Sequence, residues 1–260
     1  ILCHDDFKGH ALRKDYPADK RQSLETPLEH VFAKDKERMQ AEEKDHLSEK
    51  TIKSIIRGSF PDHSFLAEES GQDLSKSDYL WIIDPLDGTP NFVHGYPSFA
   101  VSIALYYKNE PQVAVIIEMP NTKLYSAIKG EGVWCEGQPV SCSESDSLEK
   151  SLLVTGFGYE HGELWEENMR LYKHFTDTTQ GVRRLGAAAV DLCHVASGKV
   201  DGFWEFDLQP WDTAAGILIA QEAGCLVTQM NGSDYSIYDN NILVTNPKIH
   251  IEMVKNIEDV

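Results

Sequence analysis

No stretch of about 18 consecutive apolar residues occurs anywhere in this 260-residue chain, so no membrane-spanning helix is expected. Cysteine is scarce. The five that exist, Cys3, Cys135, Cys142, Cys193 and Cys225, are odd in number, dispersed and without a Cys-x-x-Cys pair, which suggests neither a disulfide framework nor a zinc site and suits reduced, cytosol-like surroundings. Positive charge is short: 24 Lys and Arg face 42 Asp and Glu, a formal charge of −18. That balance argues against a nucleic-acid-binding surface, since phosphate backbones are held by clustered Lys and Arg, and its simplest reading is solubility. The apolar core of a signal peptide is missing behind Ile1, where Asp5, Asp6 and Lys8 follow closely, although a cleaved targeting segment further upstream stays compatible with this start. Repeats and low-complexity segments are absent too. Ser98, Ser102 and Ser151 lack a Gly-x-Ser-x-Gly context, which removes support for a serine hydrolase.

What is present is globular: 41% hydrophobic and 10% aromatic residues, enough for one compact unit with two halves. The expected halves are 1–150, rich in strands, and 151–260, in which strands and helices alternate; residues 1–44 are the least readable. Leu47, Ile52, Ile55 and Ile56 fall at helical spacing and predict an amphipathic helix ending near Gly58, with the charged run Asp35–Lys50 as a solvated face. Strands are predicted at Phe65–Leu66, Leu80–Ile83, Ala100–Tyr107, Val113–Ile117, Leu124–Ile128 and around Val133–Cys135, then at Leu152–Thr155, Val182–Leu185, Gly202–Phe206, Leu226–Thr228 and Ile242–Thr245. Helices are predicted at Glu163–Phe175, Ala187–Ala196 and Asp212–Ala223, with a last one from Lys248. Strands interleaved with helices mean sheets covered by helices, an α/β layered protein.

Chemistry concentrates in Trp81-Ile82-Ile83-Asp84-Pro85-Leu86-Asp87-Gly88-Thr89. A buried apolar strand is expected to end there in two carboxylates, which are costly to bury unless something positive pairs with them. Asp84 and Asp87, three apart across a proline, can turn into one small volume, where like charges raise each other's pKa unless a cation neutralises them. Mg²⁺ prefers such hard oxygen ligands and keeps waters for substrate or nucleophile. Gly88 and Thr89 add a flexible backbone and a hydroxyl at an expected helix start, where free N–H groups favour phosphate. Glu68-Glu69 stands at a similar strand mouth, and Asp212, after Pro210-Trp211, opens a helix where an ordinary N-cap is the plain alternative. Asp-Gly-Thr also ends the Asp-x-Asp-Gly-Thr motif of aspartyl-phosphate enzymes, but here two residues separate the aspartates, which disfavours a covalent intermediate. His94 lies close enough to the cradle to be a substrate neighbour, though a structural role in the Gly95-Tyr96-Pro97 turn is the favoured reading; His161 and His194 have no ligand-spaced partners and default to surface or helix-face roles, and Trp204 and Trp211 to core and loop packing.

Three motifs in order, Ala67-Glu68-Glu69-Ser70, Asp84-Pro85-Leu86-Asp87-Gly88-Thr89-x-Asn91-Phe92 and Pro210-Trp211-Asp212-Thr213-Ala214-Ala215-Gly216, resemble the inositol monophosphatase family over roughly residues 45–258. Gly156-Phe157-Gly158-Tyr159-Glu160-His161 and Arg183-Arg184-Leu185-Gly186-Ala187-Ala188-Ala189-Val190-Asp191 look closest to its bacterial and plastid branch. The resemblance implies a five-layer α-β-α-β-α sandwich shared with fructose-1,6-bisphosphatase, a homodimer, and Mg²⁺-dependent, lithium-sensitive phosphomonoester hydrolysis with two to three ions per subunit. It implies Glu68, Asp84 and the Leu86 carbonyl around a first ion, Asp84, Asp87 and Asp212 around a second, and Glu68 with waters around a weaker third. Thr89 would orient the attacking water with Asp45 behind it, neighbouring acids being rivals for that place. Gly88 and Thr89 N–H groups would grip the phosphate, while Gly186, Ala188, Glu205 and Asp212 would meet the substrate. Pro90 and Ala41-Glu42-Glu43-Lys44-Asp45-His46, where the family has a Val-Thr-x-Thr-Asp-like strand, depart from the pattern. The expected substrate is inositol monophosphate. Alternatives are fructose-1,6-bisphosphate, histidinol phosphate, a nucleotide 3′-phosphate, or a mainly regulatory role, in a bacterial cytoplasm or plastid stroma, with no membrane or direct nucleic-acid partner.

Overall fold

The computed structural model describes residues 41–73, 77–158 and 161–260, so the expectations for residues 1–40 lie outside the described residues. Eight strands form the first sheet: β1 (Ser64–Ala67), β2 (Gly71–Gln72), β3 (Tyr79–Asp87), β4 (Phe99–Tyr107), β5 (Glu110–Met119), β6 (Lys123–Ile128), β7 (Gly132–Cys135) and β8 (Gln138–Pro139), in the order β2-β1-β3-β4-β5-β6-β7-β8. All neighbours are antiparallel except β1 and β3. The second sheet holds β9 (Leu152–Thr155), β10 (Gly181–Arg183), β11 (Gly202–Phe206), β12 (Leu226–Thr228) and β13 (Asn241–Thr245) in the order β10-β9-β11-β13-β12, with β10, β9 and β11 parallel.

Helices cover both sheets. α1 (Ala41–Ser59) packs on the outer face of the first sheet against β3, near the short α2 (Thr89–His94). α4 (Ala188–Ala196) and α5 (Pro210–Glu222) lie between the sheets, and α3 (Glu163–Thr178) and α6 (His250–Asp259) cover the far side of the second sheet. The result is the α-β-α-β-α order. Its physical basis is that α4 and α5 are apolar nearly all round, Ala189, Val190, Leu192, Ile219 and Ala220 being fully buried, so they must be enclosed on every side. β4 is likewise buried on both faces from Phe99 to Tyr106, which is why it reads as an apolar run broken only by Ser102. The two middle helices meet at Gly216, where an added methyl would overlap the Leu192 side chain.

Two expectations need correction. Leu47 is 42% exposed, and the buried face of α1 is Asp45, Ser48, Glu49, Ile52 and Ile56, so the end of the charged run is only partly solvated: Glu43, His46 and Lys50 are exposed while Asp45 and Glu49 are buried. The strand does not end before its carboxylates: β3 runs through Asp87, with a bulge between Asp84 and Asp87 that absorbs Pro85, a residue unable to donate to the ladder.

Candidate active site

The bulge in β3 lies between Asp84 and Asp87 and leaves Asp87 facing the start of α4. Asp84 is buried, its Oδ1 accepting the Leu86 N–H at 3.0 Å. Asp87 Oδ2 accepts the Ala189 N–H at 2.7 Å, so this acid caps α4 from the other sheet's side of the fold. Glu68 stands at the exposed rim in the turn after β1, hydrogen-bonded to Asp84. Asp212 is the third helical residue of α5, not its first as expected, and forms a reciprocal cap with Gln209, whose N–H it accepts at 2.6 Å.

The four acids crowd one another. Burial, then the charges of Asp87, Glu68 and Asp212, push Asp84 well above the ordinary carboxylate range. Burial and Asp212 raise Asp87 to about 8 against the N–H bonds of Ala189 and Ala188, and burial raises Asp212 to about 7 against its bond from Gln209. Desolvation and the neighbours Glu69 and Glu49 raise Glu68 too, against its bond to Asp84. Among the described residues none of the four forms an ion pair with Lys, Arg or His. Nor, among those residues, are three or more His, Cys, Asp or Glu side chains already set as a ligand group. The acids are instead turned onto backbone N–H groups and one another. The donor set nonetheless fits Mg²⁺, because uncompensated carboxylate oxygens in a desolvated cluster are what a hard dication stabilises.

Around this cluster lies a cradle. Gly88 has φ 83°, and a methyl there would stand 3.0 Å from the Ser98 carbonyl and 3.1 Å from both Ala187 Cβ and the Gly186 carbonyl, so only glycine permits the approach of the β3 end to the turn before α4. Thr89 donates its hydroxyl to the Leu86 carbonyl at 3.0 Å and stands 3.5 Å from Asp45 Oδ2. Leu86's carbonyl therefore receives the Thr89 hydroxyl. Pro90 sits in the first turn of α2, where its missing N–H removes no ladder bond, the first being Phe92 N–H to Gly88 O at 3.1 Å. Gly186, Ala188 and Glu205 border the same volume: Glu205 is 7% exposed and its carboxyl is raised by burial, then by Asp212 and Asp87, with Arg184 opposing.

A family model described as the inositol monophosphatase family matches residues 8–260. The chain belongs to the inositol monophosphatase family. Its reaction class is that of a phosphoric monoester hydrolase. It is 50% identical over 220 residues to the phosphatase IMPL1, chloroplastic, of Arabidopsis thaliana, covering 82% of this chain and 59% of that protein's length. It is 45% identical over 213 residues to the inositol-1-monophosphatase of Synechocystis, covering 81% of this chain and 74% of the relative, and 39% identical over 221 residues to the Nus factor SuhB of Pseudomonas aeruginosa, covering 83% and 82%. The inositol monophosphatase structure from Anabaena superposes with a TM-score of 0.79 at 42% identity, covering 84% of this chain and 87% of that one.

For an inositol monophosphatase family member, several supporting residues escaped the sequence reading. Glu49 accepts the Glu69 N–H at 2.9 Å, pairs with Lys53, and so fixes the Glu68 turn onto α1, while Ser48 donates to the Pro85 carbonyl at 3.2 Å. Their signal was helical spacing from Asp45, hidden because they are polar. Asn91 Nδ2 reaches the Ser98 and Leu185 carbonyls at 2.6 and 2.7 Å, tying α2 to the Gly186 turn. Asp191 is fully buried with neither carboxylate oxygen hydrogen-bonded among the described residues; burial, then Glu205 and Asp87, raise it well above the usual range, with Arg184 opposing. His194 is no bare helix-face residue, since its Nε2 lies 3.3 Å from Glu118 Oε1.

Proposed function

We propose that this protein is a Mg²⁺-dependent phosphomonoesterase that hydrolyses inositol monophosphate to inositol and phosphate. The observation that carries the reading is the cluster of Glu68, Asp84, Asp87 and Asp212, four mutually repelling acids without a basic partner among the described residues, beside the Gly88-Thr89 cradle. Glu68, Asp84, Asp87, Asp212 and the Leu86 carbonyl would hold two to three ions. When bound, Mg²⁺ supplies charge neutralisation at the phosphoryl oxygens and acidifies water. The chain's own groups do the rest. Thr89 orients the attacking water, with Asp45 3.5 Å away to take up its proton, and Gly88 and Thr89 N–H groups hold the phosphate. Gly186, Ala188 and Glu205 receive the polyol hydroxyls, with Asp212 closing the far side.

Lithium inhibition, a homodimer, and residence in a bacterial cytoplasm or plastid stroma belong to the same reading; the chloroplastic Arabidopsis and the Synechocystis relatives bear on the residence alone. Among the described residues no helix is long and apolar enough to cross a membrane. The test is a phosphate-release panel with and without Mg²⁺: inositol 1-phosphate is expected to lead fructose-1,6-bisphosphate, histidinol phosphate and a nucleotide 3′-phosphate. Much slower turnover of inositol 1-phosphate than of another member contradicts the substrate and leaves the reaction class standing. A second reading, a mainly regulatory partner with weak catalysis, is favoured by the Nus factor name of the Pseudomonas relative. Calorimetric titration separates the two, because absence of Mg²⁺ binding supports the regulatory role.

A further inference from the structure

Where β9 ends, Gly156 is buried with an ordinary backbone conformation, so its lack of a side chain has no conformational cause. The cause is space. A methyl built on Gly156 would overlap Oε1, Oε2 and Cδ of Glu205 together, meaning the whole carboxylate lies flat against the glycine backbone. Register explains the meeting: β9 and β11 run parallel with Val154 opposite Phe203 and Thr155 opposite Trp204, so the next residues, Gly156 and Glu205, continue the pair beyond the last ladder position.

The two strand ends are clamped. Thr155 Oγ1 donates to the Trp204 carbonyl at 2.6 Å. Asn168, 2% exposed on α3, donates to the Gly156 carbonyl at 2.6 Å through Nδ2, and its Oδ1 accepts the Trp204 Nε1–H at 2.6 Å. A single amide thus joins the glycine backbone to the residue preceding Glu205, and a buried network with every member satisfied is rigid. The backbone under Glu205 is fixed, and the missing side chain of Gly156 leaves the room its carboxylate occupies.

We propose that Gly156, held by Asn168, is a positioning residue that sets preference for polyol phosphates by fixing where the Glu205 carboxylate meets the substrate. The proposal rests on the reading above in which Glu205 receives a substrate hydroxyl. A side chain at 156 drives the carboxylate forward into the volume the polyol would occupy, and a misplacement of about 1 Å can cost an enzyme up to about a hundredfold. Phosphate hydrolysis itself, which depends on the acids and Thr89, is untouched.

The test compares inositol 1-phosphate with p-nitrophenyl phosphate, whose leaving group offers no hydroxyl to Glu205, on Gly156→Ala, Glu205→Asp and the double variant. Gly156→Ala is expected to raise KM for inositol 1-phosphate by about ten- to a hundredfold while kcat/KM for p-nitrophenyl phosphate stays within about twofold. Glu205→Asp in that background, one methylene shorter, is expected to recover part of the loss. Equal losses on both esters, or none on either, overturn the proposal. A Tm cycle over Gly156→Ala and Glu205→Ala keeps contact and substrate role distinct: the double variant should be more stable than the sum of the singles allows. Additive Tm changes refute the contact. A non-additive cycle with unchanged KM in Glu205→Ala refutes the substrate role of Glu205, and the specificity claim with it, while the steric coupling stands.

Discussion

Thr89 has two acceptors for one proton, the Leu86 carbonyl at 3.0 Å and Asp45 at 3.5 Å, and in the proposed reaction its hydroxyl would turn between them to aim the water. Thr89→Ala is expected to lower kcat by about 10²–10⁴-fold with an unchanged circular dichroism spectrum, and Thr89→Ser to keep most of the rate. His63 gives the pH test. Its Nδ1 accepts the Trp81 Nε1–H at 3.0 Å, so the ring is neutral with its proton on Nε2, and burial lowers its pKa from 6.5 to about 4 against the Asp62 carboxylate. Because the unfolded ring takes a proton nearer pH 6.5, this contribution is complete above that value and is lost as pH falls toward about 4. The stability difference between wild type and His63→Phe in urea unfolding should shrink over that window; a pH-independent difference contradicts the neutral ring. At this scale the three acidic motifs and Thr89 were legible because charge at the end of an apolar run is conspicuous. Asp191, Asn168 and Gly156 were not, since burial and a missing side chain leave no local pattern.

Among the elements, α1 shows how a helix can be misread. Its buried stripe begins with Asp45, Ser48 and Glu49, and apolar periodicity starts only at Ile52, so the buried polar third of the helix looked solvated. Glu49→Ala removes the acceptor for the Glu69 N–H and the partner of Lys53; a loss of about 2 kcal/mol is expected in urea unfolding, together with weaker Mg²⁺ binding because the Glu68 turn is released. Unaltered Mg²⁺ affinity contradicts the role of α1 in holding that turn. The contact of α4 with α5 is the second element-scale test. Gly216→Ala forces the helix bearing Asp212 away from the helix that Asp87 caps, with an expected destabilisation of about 1–3 kcal/mol by denaturant titration. Strand positions were legible because β9 and β11 are mostly apolar, with Glu205 the one charged residue in β11, whereas the bulge in β3 was not, since Pro85 between acids looked like a strand end.

For the molecule as a whole, the formal charge of −18 and the acid cluster pull in one direction. An acid whose folded pKa is raised holds a proton that the unfolded chain releases, so its contribution to stability declines as pH climbs from the ordinary carboxylate range toward the folded value, about 7 for Asp212 and about 8 for Asp87. The chelated protein should therefore lose Tm as pH rises through that range, and saturating Mg²⁺ should restore more of it above pH 8 than near pH 6, because binding requires ionised carboxylates. The five-layer order brings residues from β3, the turn after β1, and α5 to one point, so no single segment of chain carries the site. The most direct test is Mg²⁺-dependent phosphate release from inositol 1-phosphate by wild type and Asp87→Asn, with folding followed by circular dichroism. The acid cluster as metal centre predicts that chelation silences the wild type reversibly and that the folded variant is inactive at every Mg²⁺ concentration; a folded Asp87→Asn protein with near wild-type turnover contradicts it.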